Sequence, residues 1–215
     1  MKTLKCSDSA LAETAAVLMK GGVAVIPTDT VYGLAAHPDF PEAVERLYTI
    51  KGREAKKPIA LLASDVEAVV RFLGGPIGEA APSLSAALIG EAAPSPLHAG
   101  KSVFPKTAAD LAARHWPGGL TLVLPKGDVY EGLRVPDHEW TRRLLAACGG
   151  VLRVTSANLS GQRAATDAPA ALAEVGLSAD IVVDGGVSPG GVASTVVKVD
   201  ADGSLSVLRS GAVAV

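Results

Sequence analysis

Residues 23–62 read VAVIPTDTVYGLAAHPDFPEAVERLYTIKGREAKKPIALL, and the fold is decided there. The apolar run Val23 to Ile26 has the length and β-branched content of a buried strand, and Pro27 stops it. A polar turn, Thr28-Asp29-Thr30, follows at once. Asp39 offers a cap for a helix with Pro41 in its first turn and Val44, Leu47 and Tyr48 on one face. A basic loop with Lys51, Arg53, Lys56 and Lys57 ends that helix. Pro58 biases Lys57 away from helix, and IALLA reads as a second buried strand. The strand thus ends in hydroxyl and carboxyl side chains facing a group of cations, and hydroxyls and cations together suit a polyanionic ligand such as a nucleotide triphosphate.

Outward from this stretch, strands and helices alternate. Upstream, Ser7, Asp8 and Ser9 offer N-cap oxygens for a helix from about Ala10 to Lys20, which Gly21 closes. Downstream, Ser64-Asp-Val-Glu67 reads as a capping box, with Val66, Val69, Val70 and Leu73 inward. From Gly74 to about Lys106 the pattern dissolves into Ala, Pro, Ser and Gly. A loop of that length is unusual in a compact domain, and it reads as an insertion with a short helix near Ser83 to Ile89, or as a flap. Thr107 caps a helix that Trp116-Pro117-Gly118-Gly119 ends. Leu120 to Leu124 is a strand, and in GLRVP Arg134 points opposite to Leu133 and Val135. Asp137 is placed to cap the next helix.

VLRVT (Val151 to Thr155) is a strand running into SANLSG. Asp167 opens a helix through Leu172 and Val175, and DIVVDGG is a further strand. STVVKV and SLSVLR flank Asp202-Gly203, a strong hairpin signal. The class expected is α/β, a twisted mixed parallel and antiparallel sheet flanked by helices, in one domain over residues 1–215.

The totals bound the alternatives. The chain has 215 residues and 48% apolar residues, enough for a substantial core, yet only 4% aromatics, so that core is Val, Leu, Ile and Ala. A net charge of −2 argues against a general polyanion binder and leaves room for a local basic cleft. The two cysteines, Cys6 and Cys148, form no CxxC pair, and the four histidines are scattered, so no zinc-ligand spacing exists. No signal-peptide h-region and no run near the ~18 apolar residues of a membrane span gives a soluble cytoplasmic protein as the expectation.

No P-loop, GxGxxG after a strand, Ser-His-Asp or GxSxG pattern is present. Alone, Thr28-Asp29-Thr30 reads as a side-chain-bonded turn and Lys51-Gly-Arg53 as a solvated helix end. Thr155-Ser156-Ala157-Asn158 is more pointed, because small polar residues at a strand's C-terminal end are where open α/β sheets place ligands.

PTDTVYGL, KGR, PGGLTLVLP, RVP, TSANLSG and STVVKV, in this order over roughly Ala12 to Gly211, resemble the YrdC family, the threonylcarbamoyl-AMP synthases of tRNA modification. PTDTVYGL with SANLSG is the specific combination. The resemblance implies a YrdC-like fold with a large concave, positively charged cavity, in the short form. It implies a nucleotidyltransferase that joins L-threonine, bicarbonate and ATP into threonylcarbamoyl-AMP and pyrophosphate. Mg²⁺ would travel with the phosphates, and no prosthetic group or dedicated metal site is implied. The product would pass to a downstream threonylcarbamoyl-transferase complex for tRNA t6A37 modification.

By the same resemblance, Thr30 and Tyr32 line the threonine side of the cavity. Lys51 and Arg53 face the triphosphate as the catalytic pair, with Lys57 in the same basic loop. Ser156 and Asn158, after Thr155, lie at the nucleotide. Thr121 and Arg134 line the same cavity, and Ser194 and Arg209 lie near threonine and ATP. Lys51→Ala and Arg53→Ala are each expected to cost far more in turnover than in stability. Glu54 stands where the family often has Pro, and Gly119 replaces the second Pro of PGPLT. These departures, and a 74–106 region longer than usual, admit a second reading: a sister-branch protein binding nucleotide or double-stranded RNA. A carbamoyl-adenylate enzyme of hydrogenase maturation is disfavoured, since it would need zinc-type cysteines.

Overall fold

The computed structural model describes residues 2–54, 57–74 and 104–215. Residues 75–103 of the region read as an insertion or flap, and Lys56 of the basic loop, lie outside them.

The described residues build one ten-stranded sheet in the order β1-β8-β2-β3-β7-β4-β6-β5-β9-β10. The strands are β1 (Lys2–Lys5), β2 (Val23–Ile26), β3 (Gly33–Ala36), β4 (Leu61–Ala63), β5 (Leu120–Lys126), β6 (Val129–Arg134), β7 (Val151–Ser156), β8 (Ile181–Asp184), β9 (Thr195–Val199) and β10 (Leu205–Arg209). Pairings are mixed: β2 runs parallel to β8 but antiparallel to β3, and β7 is antiparallel to both β3 and β4. The mixed α/β class read from the sequence holds.

Alternation along β2 explains how the helices are held. Val23 and Val25 join the cluster under α2 (Pro41–Lys51), with Leu34, Ala43, Leu47 and Val182. Ala24 and Ile26 join the opposite cluster, with Leu18 of α1 (Asp8–Leu18) and Trp140, Leu144 and Leu145 of α5 (Glu139–Ala147). A strand buried on both faces reads as a continuous apolar run, as this one does. A third cluster packs α3 (Val66–Phe72) and α4 (Lys106–His115) on Leu122, Leu133 and Val197. The short α6 (Ala168–Glu174) completes the set, with the Asp167 side chain accepting from Ala170 N as expected.

Several boundaries differ from the sequence reading. β1 and β3 were not expected as strands. The α3 cap is Asp65, whose Oδ1 accepts from Ala68 N; Ser64 instead donates to Asp65. The cap of α5 is His138, not Asp137, because the imidazole accepts from Thr141 N. Asp39 caps nothing: α2 starts after Phe40 without a side-chain cap, with Pro41 pre-setting the first turn. Lys106, not Thr107, begins α4. The β9–β10 hairpin forms around Gly203 as expected, with φ +86.

Candidate functional site

The site grows from the C-terminal end of β7. There Ser156 pairs across to Gly33, and the chain turns through Ala157 and Asn158. α2 ends beside it, with Gly52 in the left-handed region at φ +57, the conformation that suits glycine after a helix. Lys51, in the last turn of α2, is only 3% exposed. Its Nζ donates to Ser156 O at 2.5 Å and to Asn158 O at 2.6 Å, and reaches Ser156 Oγ and Asn158 Oδ1 at 3.4 Å. Asn158 Nδ2 in turn donates to Leu159 O and Gln162 O, tightening the SANLSG loop. Thus the KGR and SAN segments, about a hundred residues apart, meet through one ammonium.

Burial pushes the Lys51 ammonium down to about 8, the Arg53 charge adds to this, and Glu174 opposes it. Arg53 is half-buried and donates to Lys57 O and Pro58 O, shaping its own loop. Lys57 is exposed and faces Glu54 at 3.7 Å. Thr155 is half-buried in β7 opposite Leu34.

The turn Thr28-Asp29-Thr30 faces Arg134, the last residue of β6. Thr28 Oγ1 donates to Val31 O and accepts from Thr30 N, which fixes the turn. Each nitrogen of the Arg134 guanidinium has a partner. Nε donates to Gly118 O at 2.8 Å, Nη1 to Thr30 Oγ1 at 2.8 Å and Nη2 to Asp29 Oδ1 at 2.5 Å. Next to this, Thr121 Oγ1 and Ser194 Oγ lie 2.8 Å apart, and Arg209 donates to Ser194 O through Nε and Nη2.

Two cations, Lys51 and Arg53, thus lie at the SAN tip and its neighbouring loop, and two, Arg134 and Arg209, beside Thr30 and Ser194. Each of three is held below its ordinary pKa first by burial and then by a neighbouring arginine: Lys51 by Arg53, Arg209 by Arg53, and Arg134 by Arg209, the last against the pull of Asp29. Of these, Arg134 is paired with Asp29, whereas the hydrogen bonds of Lys51, Arg53 and Arg209 among the described residues go to neutral oxygens.

Tyr32 is placed differently from the rest. It is 0% exposed. Its hydroxyl donates to Gly186 O and accepts from Gly185 N, so it anchors the glycine-rich loop after β8. The same loop is tied to the Thr28 turn by Ser188, whose Oγ donates to Thr28 O, and by Gly190 N, which donates to Asp29 O. A Cβ at Gly190 would lie 2.7 Å from that carbonyl. Gly119 has a similar reason: a Cβ there would lie 2.7 Å from Ala212 Cβ, so its smallness admits residues 212–213 beside Thr30. Sequence reasoning read Asp29 only as part of the polar turn, without a role of its own, and passed over Ser188 and Glu174. For Asp29 the signal was present, since it sits between the two threonines of the turn.

A mixed sheet flanked by helices, whose central β7 ends in a small-residue tip bound by Lys51, defines an α/β protein with the YrdC-like fold. The chain belongs to the Sua5/YciO/YrdC family: the family model, described as telomere recombination, matches residues 16–211. It is 31% identical over 221 residues to the threonylcarbamoyl-AMP synthase of Bacillus subtilis, covering 98% of this chain and 56% of that one. It is 29% identical over 193 residues to that of Pyrococcus abyssi, covering 85% of this chain and 48% of that one. The chain thus spans about half the length of these two curated relatives. Among solved structures, P. abyssi Sua5 complexed with L-threonine superposes with a TM-score of 0.77 at 26% identity, covering 98% of this chain and 57% of that one. E. coli YciO, at 21% identity and a TM-score of 0.74, covers 98% and 94% and shares the fold. No helix among the described residues is long and apolar enough to cross a membrane.

Proposed function

We infer that the chain makes threonylcarbamoyl-AMP and pyrophosphate from L-threonine, bicarbonate and ATP, for the threonylcarbamoyladenosine modification of tRNA. The names of the relatives support this, as does the L-threonine carried by the P. abyssi structure. The observation that carries it is geometric: Lys51 Nζ binds Ser156 O and Asn158 O, Ala157 N between them donates to Tyr32 O, and Thr30 and Asp29, just before Tyr32, bind Arg134, so the KGR loop and the Thr28 turn with its arginine meet at one chain tip.

In the proposed reaction the threonine amine takes up carbon dioxide from bicarbonate as a carbamate. A carbamate oxygen then attacks the α-phosphorus of ATP in line, and the bond to pyrophosphate breaks. Such a transfer depends on positioning and on neutralising charge more than on a strong base. Lys51 and Arg53 offset charge on the leaving pyrophosphate. Ser156 and Asn158 hold the nucleotide, and Lys51 keeps their loop in shape through the two carbonyls it binds. Arg134 has a planar fork suited to a carboxylate, and Thr30, Thr121, Ser194 and Arg209 set the wall between the two substrates. Mg²⁺ enters as part of the substrate, on the phosphates, where it would neutralise charge. The product then goes to a downstream transferase complex.

One observation favours the sister-branch reading. Lys57 faces Glu54, so one loop cation is offset where the family often has proline. The test is mass detection of the adenylate formed from ATP, bicarbonate and L-threonine. Threonylcarbamoyl-AMP with stoichiometric pyrophosphate is the expected result. Nucleotide or RNA binding without it supports the sister branch.

A further inference from the structure

The two edges of the sheet are finished differently. β1 carries a lysine at each end, and both are engaged: Lys2 Nζ with Glu13 at 2.7 Å and Lys5 Nζ with Asp184 at 2.6 Å. Charge of this kind on an edge strand keeps other chains from adding to it. β10, at the other edge, has no such protection. Ser204 to Leu208 carry no charge and no proline, and every residue of β10 is exposed. Leu205, Val207 and Leu208 are 47%, 50% and 58% exposed.

The strand register places these side chains. Leu205 pairs with Val199 and Val207 with Val197, and both valines are fully buried members of the cluster under α3 and α4. Residues directly opposite share a face, so the apolar face of the core runs on past β9 onto Leu205 and Val207 and is left open there. Asp200 N donates to Ser204 O, so the Ser204 backbone faces β9. Backbone groups alternate along an antiparallel strand, so those of Ser206 also face β9, while those of Leu205 and Val207 turn outward. β10 ends the sheet, and among the described residues nothing pairs with these outward groups.

A second copy of the same strand meets each of these features. With two β10 strands antiparallel about a two-fold axis at Ser206, Leu205 of each copy stands opposite Val207 of the other. Both pairs are of the hydrogen-bonded kind, and their apolar side chains form one stripe continuous with both cores. The same arrangement brings the turn that carries Asp202 in one copy to the Arg209 end of the other, so opposite charges meet at each end of the contact. A parallel pairing would instead set Asp202 beside its own counterpart. We propose that the chain associates into a two-fold dimer through β10, joining two ten-stranded sheets edge to edge. The proposal goes beyond the synthase reading and does not depend on it.

The test is analytical ultracentrifugation of the full chain over a range of concentrations, wild type and Ser206→Lys, together with mild oxidation of Ser206→Cys and Ser204→Cys. A contact this small gives a weak, concentration-dependent dimer. Ser206→Lys sets like charges face to face at the axis. It is expected to weaken association at least about tenfold and to leave the denaturation midpoint of the dilute protein unchanged. The two Ser206 Cα atoms would lie about 4.5 Å apart, as a pair without mutual hydrogen bonds, within reach of a disulfide. Those of Ser204 would lie about 14 Å apart, beyond one. Ser206→Cys is therefore expected to form a covalent dimer, whereas Ser204→Cys and wild type, with Cys6 half-buried and Cys148 buried, are not. A wild-type chain that stays monomeric at every concentration overturns the proposal. So does a dimer that Ser206→Lys leaves as tight as before, or one in which Ser206→Cys crosslinks no more than Ser204→Cys, because the copies would then meet on another face.

Discussion

The Lys51 ammonium sits 2.6 Å from the carbonyl oxygen of Asn158, so one side chain both carries charge into the site and holds the loop that would contact the nucleotide. That relationship separates two residues that the sequence treats as equals. Removing Lys51 takes the donor from Asn158 O in a buried corner, a loss of about 1–3 kcal/mol. Removing Arg53 frees two loop carbonyls on a half-exposed side chain. Lys51→Ala is therefore expected to lower both the unfolding free energy and pyrophosphate release. Arg53→Ala is expected to lower pyrophosphate release at least about a hundredfold with little change in stability. Denaturation midpoints beside a pyrophosphate assay check both. Equal loss of stability in the two variants would refute the distinction.

Lys51 also sets a pH dependence. Its folded pKa, about 8, lies below the ordinary 10.5. Between these values the unfolded chain binds more protons than the native one, so this group makes the free protein more stable as pH rises from about 8 to about 10.5. Below about 8 both states are protonated and the contribution is flat. Bound pyrophosphate favours the ammonium, so its affinity should fall as pH rises through 8. Urea melts of wild type and Lys51→Met over pH 7 to 10.5, with pyrophosphate titrations, test both slopes. The variant should flatten them.

Tyr32→Phe removes a hydroxyl that joins Gly185 N to Gly186 O. We expect a stability loss of about 1–3 kcal/mol and a small change in KM for threonine, since the side chain is fully buried. A large KM effect with unchanged stability would put Tyr32 back at the substrate.

Gly119→Ala is expected to destabilise by about 1–3 kcal/mol, because its Cβ would press on Ala212 at 2.7 Å. Ala212→Gly in the same chain should restore much of the loss. A double-mutant cycle of denaturation midpoints measures the coupling, and a coupling of zero would refute the contact.

The sequence made some strands and cations legible and hid others for physical reasons. β2 and β7 show as apolar runs that end in small polar residues. β3 is only four residues, GLAA, three of them small and all buried, with neither length nor alternation to mark it. β1 carries lysines at both ends and lies exposed at the sheet edge, so it reads as a solvated leader. The caps at Asp65 and His138 each have an equally suitable neighbour one residue earlier, and only the backbone's turn decides. The basic pair and the SAN tip were legible as motifs. The engagement of Asp29 with Arg134, and of Tyr32 with the glycine loop, depends on partners more than a hundred residues away, which no local pattern carries.

The register between β1 and β8 matches Lys2 with Ile181, and the cation set runs from Lys51 to Arg209. A nascent chain emerging from the ribosome cannot finish the sheet until its last fifth has been made. Contacts this distant along the chain slow folding, and a half-made molecule would lack Arg209. A chain cut short before β8 would therefore leave β1 without its parallel neighbour and would lack the last of the four cations.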